Sequence, residues 1–199
     1  MYSPALEAVR NTGHIHRFDG SFATPNKFKG TPSPKIDAAW ANITYKDGGV
    51  INISEEMLHA VNASAEYSVK LAPEIGGGYM ASVEALHQLH CLNTLRQATY
   101  VNYYQDKAEA WQDSPQILRY HLDHCIDNLR QKLMCDADAG ILTYVWVKGH
   151  PMPFPDFSVQ HKCRDFGALK DWVTEHQTYT SETHGIERLP GAKELETPP

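Results

Sequence analysis

A short internal repeat constrains this chain more than any other feature. His87-Gln88-Leu89-His90-Cys91 is followed by Leu95-Arg96; 34 residues on, His121-Leu122-Asp123-His124-Cys125 is followed by Leu129-Arg130. On a helix, positions i, i+3 and i+4 share a face, so each copy projects two imidazoles and a thiol in one direction. Helical periodicity surrounds both copies. Met80, Val83, Leu86, His87, His90, Cys91 and Leu95 predict a helix from Tyr79 to about Tyr104. Ile117, Leu118, His121, Leu122, Cys125, Leu129 and Leu133 predict a second over about 115–134, with Pro115 suited to its first turn. The connection is short enough for the helices to lie antiparallel and for the two faces to meet.

Eleven histidines in 199 residues is a skewed count, and four fall in the repeat. Burying four imidazoles is costly unless their lone pairs are accepted, which a metal ion does while fixing the rings. His87, His90, His121 and His124 are therefore the expected metal ligands. The competing reading is a polar seam of mutually hydrogen-bonded histidines. The chain has neither the Glu-x-x-His pattern of a di-iron bundle nor the His-Glu-x-x-His of a zinc protease. Cys-x-x-Cys knuckles are absent too, since the cysteines stand singly at 91, 125, 135 and 163. An imidazole-dominated, sulfur-containing set suits copper or zinc.

The rest of the chain reads as the setting for that helix pair. With 42% hydrophobic residues, residues 1–184 can bury one core as a single domain, and 185–199 read as a flexible tail. Residues 1–53 read as an extended arm, since 11–36 are rich in Asn, Gly, Ser, Thr and Pro and end in Gly30-Thr31-Pro32-Ser33-Pro34. Ser54 with Glu55 and Glu56 predicts a capped short helix through about Val61. The run Ile141 to Val147 predicts a strand or buried extended segment, His150 to Pro155 a loop, and Arg164 to about His176 a terminal helix. The expected class is mainly α, with the motif helices spanning 79–135.

A formal charge of -6 and no basic stripe argue against nucleic-acid binding. No apolar run approaches the ~18 residues that cross a bilayer, so the chain as it stands reads as soluble. Three Asn-x-Ser/Thr sequons, at Asn42, Asn52 and Asn62, cluster upstream of the motif helices and favour a glycan-bearing face in the secretory pathway. Disulfides persist there, so Cys135 with Cys163 is the expected structural bridge. Cys91 and Cys125 share the histidine faces and either bridge each other or ligate as thiolates.

The paired motifs, each with its Leu-Arg, resemble those of the UstYa-like family of fungal secondary-metabolite oxidases. Further segments agree: Tyr2-Ser3-Pro4-Ala5, Gly30 to Trp40, Gly77-Gly78-Tyr79, Cys135-Asp136-Ala137-Asp138, and His161-Lys162-Cys163-Arg164-Asp165. The resemblance covers about residues 2–175. It implies a copper-dependent oxidase with one or two copper ions held by the motif histidines, Cys91 and Cys125 beside the copper, and molecular oxygen as co-substrate. It also implies C–H oxidation such as cyclisation of a ribosomally made peptide, with small-molecule hydroxylation, halogenation or desaturation as the alternative. A third reading is a metal-binding accessory subunit acting as a homodimer or with a homologous partner. Such proteins are membrane-anchored in the secretory lumen, and this chain begins at what resembles the segment after the anchor. His161 is a further candidate ligand. Asp136 and Asp138 are candidates to orient the ligand imidazoles, and Arg96 and Arg130 to hold those acids or a substrate carboxylate.

Overall fold

The computed structural model describes residues 2–45, 49–178, 186 and 188–197. Among them are seven α-helices and three two-stranded antiparallel sheets, so the class is mixed α/β with 43% helix and not mainly α. No helix among the described residues is long and apolar enough to cross a membrane. The chain divides into two compact units: Met1–Arg10, Ala41–His90 and Phe166–Pro199 form the first, Asn11–Trp40 and Cys91–Asp165 the second.

The first unit is built on strands β2 (Val50–Ile53) and β3 (Tyr79–Ser82), paired from Val50↔Ser82 to Ile53↔Tyr79. Here the sequence expectation fails: Tyr79 to Ser82 fits a helical period but pairs as a strand, and the helix starts only at Glu84. An Asn52 side chain locks the approach to β3. Its Nδ2 donates to the Gly76 carbonyl at 2.9 Å, and a Cβ on Gly78 would stand 2.0 Å from its Oδ1. With φ at +63°, Gly78 suits glycine twice over: by backbone conformation and by space. The core joins Ala5, Ile51, Ile53, Leu58, Tyr79, Leu86, Trp172 and Val173. Helix α1 (Leu6–Val9) packs on α7 (Phe166–His176), where Trp172 Nε1 donates to Glu7 at 3.0 Å. Helix α3 (Glu55–Ala60) is capped by Ser54, whose oxygen accepts from the Met57 amide at 3.1 Å, as the sequence predicts.

The second unit shows why the N-terminal arm is not simply extended. Pro34 opens α2 (Pro34–Thr44), whose first turn needs no amide donor, so the Pro-rich stretch is a helix start and not a breaker. Upstream, β1 (His14–Arg17) pairs with β6 (Gln160–Cys163) in the register His14↔Cys163 to Arg17↔Gln160. The expected strand around 141–147 is β4 (Thr143–Val145), paired with β5 (Phe154–Asp156), which begins in the last two residues of the predicted loop. It is exposed, not buried, with Trp146 77% accessible.

Two motif-bearing helices complete the set. Helix α4 (Glu84–Ala98) carries the first copy, and a short α5 (Val101–Tyr104) follows after a break at Thr99 and Tyr100. Helix α6 (Pro115–Asp136) carries the second, opened by Ser114, whose oxygen accepts from the Ile117 amide at 3.3 Å. It closes at Ala137 in the left-handed region, with its amide on the Leu133 carbonyl.

Candidate metal centre

The two copies of the repeat meet at their cysteines. Cys91 on α4 and Cys125 on α6 are both fully buried, and their side chains hydrogen-bond. Burial is the main reason the Cys125 thiol is pushed far up; the bond to Cys91 adds to it. Both are free cysteines, not joined by the bridge read as one option. Cys135 is exposed, and Cys163, half-buried, donates to the His161 carbonyl at 3.9 Å. Their expected bridge is absent as well.

Around this contact one histidine from each copy approaches. The ligand atoms of His87, Cys91 and His124 all lie within 4.8 Å of one another. His87 stands one turn before Cys91 on α4, and His124 directly precedes Cys125 on α6. Thus the first imidazole of one copy and the second of the other share a thiol. His90 and His121 are half-buried on the same helices and fall outside this trio. The His87 and His90 rings lie nearly parallel, 6.5 Å apart, and Glu84 Oε2 stands 3.7 Å from His87 Nδ1.

Two nitrogens and a sulfur with no carboxylate among them form a set suited to copper or zinc and ill-suited to the oxygen-seeking magnesium and calcium. The residues therefore fit the group the family resemblance implies. Beside them, Asp127 is held below the usual carboxylate range, chiefly by the Arg130 guanidinium, then by Gln131 and the nearby His124.

The arginines of the repeat differ in role. Arg130 lies on the open face of α6, bonded to Asp127 at 2.7 Å. Arg96 is enclosed: Nη1 donates to the Tyr104 hydroxyl at 2.7 Å, Nη2 to Asp37 at 3.2 Å and Nε to Asn93 at 2.9 Å. Its guanidinium also lies over the Trp40 ring, 5.3 Å from the centroid. Tyr104 in turn donates to Asp37, and Tyr103 does so at 3.3 Å. Neither arginine holds Asp136 or Asp138. Asp136 pairs with Lys132, one turn back on α6. Asp138 does orient an imidazole, that of His161, with Oδ2 2.9 Å from its Nδ1. Sequence reasoning missed Asp37, Trp40 and Tyr104; the Asp-x-x-Trp spacing at the start of α2 was the available signal.

Of the three sequon asparagines, Asn42 and Asn62 are exposed, while Asn52 is half-buried with its amide committed to Gly76.

Comparison with known proteins assigns the class. Residues 1–176 match the family described as mycotoxin biosynthesis protein UstYa, and the chain belongs to that family. Among curated relatives it is similar to the UstYa family oxidase aprY of Aspergillus flavus, at 32% identity over 88% of this chain and 55% of that protein. It is similar to the UstYa family oxidase phomYc of Diaporthe leptostromiformis, at 28% over 75% of this chain and 59% of the relative. It also resembles a protein named transacylase cctO from Talaromyces islandicus, at 27% over 88% of this chain and 60% of the other. The chain thus spans little more than half the length of these relatives. No solved structure matches.

Proposed function

We propose that this chain is the metal-binding part of a copper-dependent oxidoreductase of fungal secondary metabolism. The observation that carries the reading is the meeting of the two repeat copies at Cys91 and Cys125, which gathers imidazole and thiol donors. His87, Cys91 and His124 would hold one ion. Exchanging the copies maps that trio onto His121, Cys125 and His90, which are the residues for a second. A bound copper would supply one-electron chemistry with molecular oxygen as oxidant, for C–H oxidation of a peptide or a small pathway intermediate.

The chain's own residues do the rest. The closed Cys91–Cys125 contact keeps water from the sulfurs. Glu84 Oε2, 3.7 Å from His87 Nδ1, sets a negative charge beside that imidazole. Arg96, tied to Asp37 and Tyr104, fixes the end of α4 against α2 and so sets where Cys91 stands. Exposed Asn42 and Asn62 support a glycan-bearing face in the secretory lumen, and pairing with a homologue or a second copy is compatible with this placement.

The test is copper content by mass spectrometry after competition with zinc, in wild type and His124→Ala, followed by aerobic and anaerobic incubation with pathway intermediates. Loss of about one copper equivalent in the variant and a product formed only with oxygen are expected. Zinc winning the competition, or identical products with and without oxygen, would overturn the reading.

A further inference from the structure

We propose that one face of the β1/β6 ribbon is a separate binding site for a borderline-soft divalent cation, zinc(II) being the type case, formed by His14 and His16 on one strand and His161 and Cys163 on the other. The register sets this out. His14 faces Cys163 and His16 faces His161 directly. Residues opposite one another share a face, and residues two apart on a strand do too, so all four side chains belong to one side. Ile15, Arg17, Gln160 and Lys162 take the other. Both cations of the ribbon are thus turned away, and Arg17 reaches Asp156 at 3.9 Å.

Two of the imidazoles already carry the partner that a ligating histidine uses. His161 Nδ1 stands 2.9 Å from Asp138 Oδ2, and His14 Nδ1 stands 3.2 Å from the Thr12 carbonyl. A carbonyl or carboxylate at Nδ1 places the neutral ring's proton there and leaves Nε2 as the lone-pair donor. The Phe18 ring stacks on His161 at 3.8 Å and 23°, holding its plane. The His14 and His16 ring centroids are 6.4 Å apart. Two imidazoles on one tetrahedral ion at Zn–N distances of ~2.0–2.1 Å have centroids roughly 5–5.5 Å apart, so this pair closes by about 1 Å to share one.

The donor atoms are not gathered as closely as those of His87, Cys91 and His124. Opposite Cβ atoms lie ~4.5–5.5 Å apart, so closing the set needs side-chain rotation and no strand movement. His14 and His16 are exposed and can make that rotation. A thiol among imidazoles selects zinc-like ions over magnesium or calcium, and binding releases the Cys163 proton to solvent.

Cobalt(II) titration of the reduced full chain tests this, with equivalents counted by native mass spectrometry and the thiolate-to-cobalt absorption followed. Wild type should take one equivalent more than His14→Ala/His16→Ala. The His124→Ala variant, which cripples the motif cluster, should keep that equivalent and its absorption. Cys163→Ser should lose the ribbon's share of the absorption and bind that equivalent at least tenfold more weakly. The milder pair His14→Asn/His16→Asn should match the alanine pair with wild-type circular dichroism. Unchanged stoichiometry in both β1 pairs, or a Cys135–Cys163 disulfide in the non-reduced peptide map of the protein as isolated, would overturn the proposal.

Discussion

Removing one oxygen atom from Tyr104 tests whether the Arg96 cluster fixes the motif helix. Tyr104 is 3% exposed, and its hydroxyl accepts from Arg96 while donating to Asp37. In Tyr104→Phe the ring still packs, but two hydrogen bonds to charged groups go. Such bonds contribute about 1.5–3 kcal/mol each, yet Arg96 keeps Asp37 and Asn93, and Asp37 keeps Arg96 and Tyr103, so much of the loss is absorbed. The expected net cost is about 1.5–3 kcal/mol, read from urea denaturation at constant m-value. At ~2–4 °C per kcal/mol for a chain of this size, the midpoint should fall by roughly 3–12 °C. The same hydroxyl gives a pH signature. Burial first, then the bond to Asp37, pushes the Tyr104 phenol up to about 12. A raised folded value means its contribution is intact below the unfolded value near 10 and is lost as pH rises toward 12. Absorbance at 295 nm should show this late-titrating tyrosine in wild type and not in Tyr104→Phe. A loss under about 0.5 kcal/mol, or identical alkaline titrations, would refute the reasoning.

Three further outcomes follow from the geometry. Gly78→Ala forces a Cβ to within 2.0 Å of Asn52 Oδ1 and 2.8 Å of the Ile53 carbonyl at a left-handed φ, so it should cost at least about 2 kcal/mol by denaturant unfolding. Thiol labelling of the native metal-free protein should modify exposed Cys135 first and leave Cys91 and Cys125 unreactive until unfolding; early modification of Cys125 would contradict its burial. The Asp138 carboxyl, held below its ordinary value first by the Gly140 amide and then by His161, should keep its hold on His161 as pH falls past the usual carboxylate value and release it only below. An NMR titration showing Asp138 protonating with the other aspartates would refute this.

How much of this was legible in sequence varied with the range of the forces involved. Ser54 and Ser114 announce α3 and α6 because capping is local. The repeat announces its own cysteine contact because a fixed offset on two helices repeats one face. Tyr79 to Ser82 misled because four residues fit both periods, and only pairing with Val50–Ile53 decides between them. Pro34 misled because the same ring that breaks a helix interior suits its first turn. Arg96 and Arg130 look equivalent in the repeat; their difference lies in Asp37, 59 residues from Arg96, which no local pattern announces. The strand pairing that sets His14 against Cys163 is longer in range still.

That inequality between the arginines bears on how the repeat can change. The copy on α4 is moored by Asp37, Trp40 and Tyr104, whereas the corresponding arginine on α6, among the described residues, bonds within its own helix. Drift is therefore lopsided: the outer face of α6 around Arg130 can change at little structural penalty, while Arg96 is held in place by three neighbours at once.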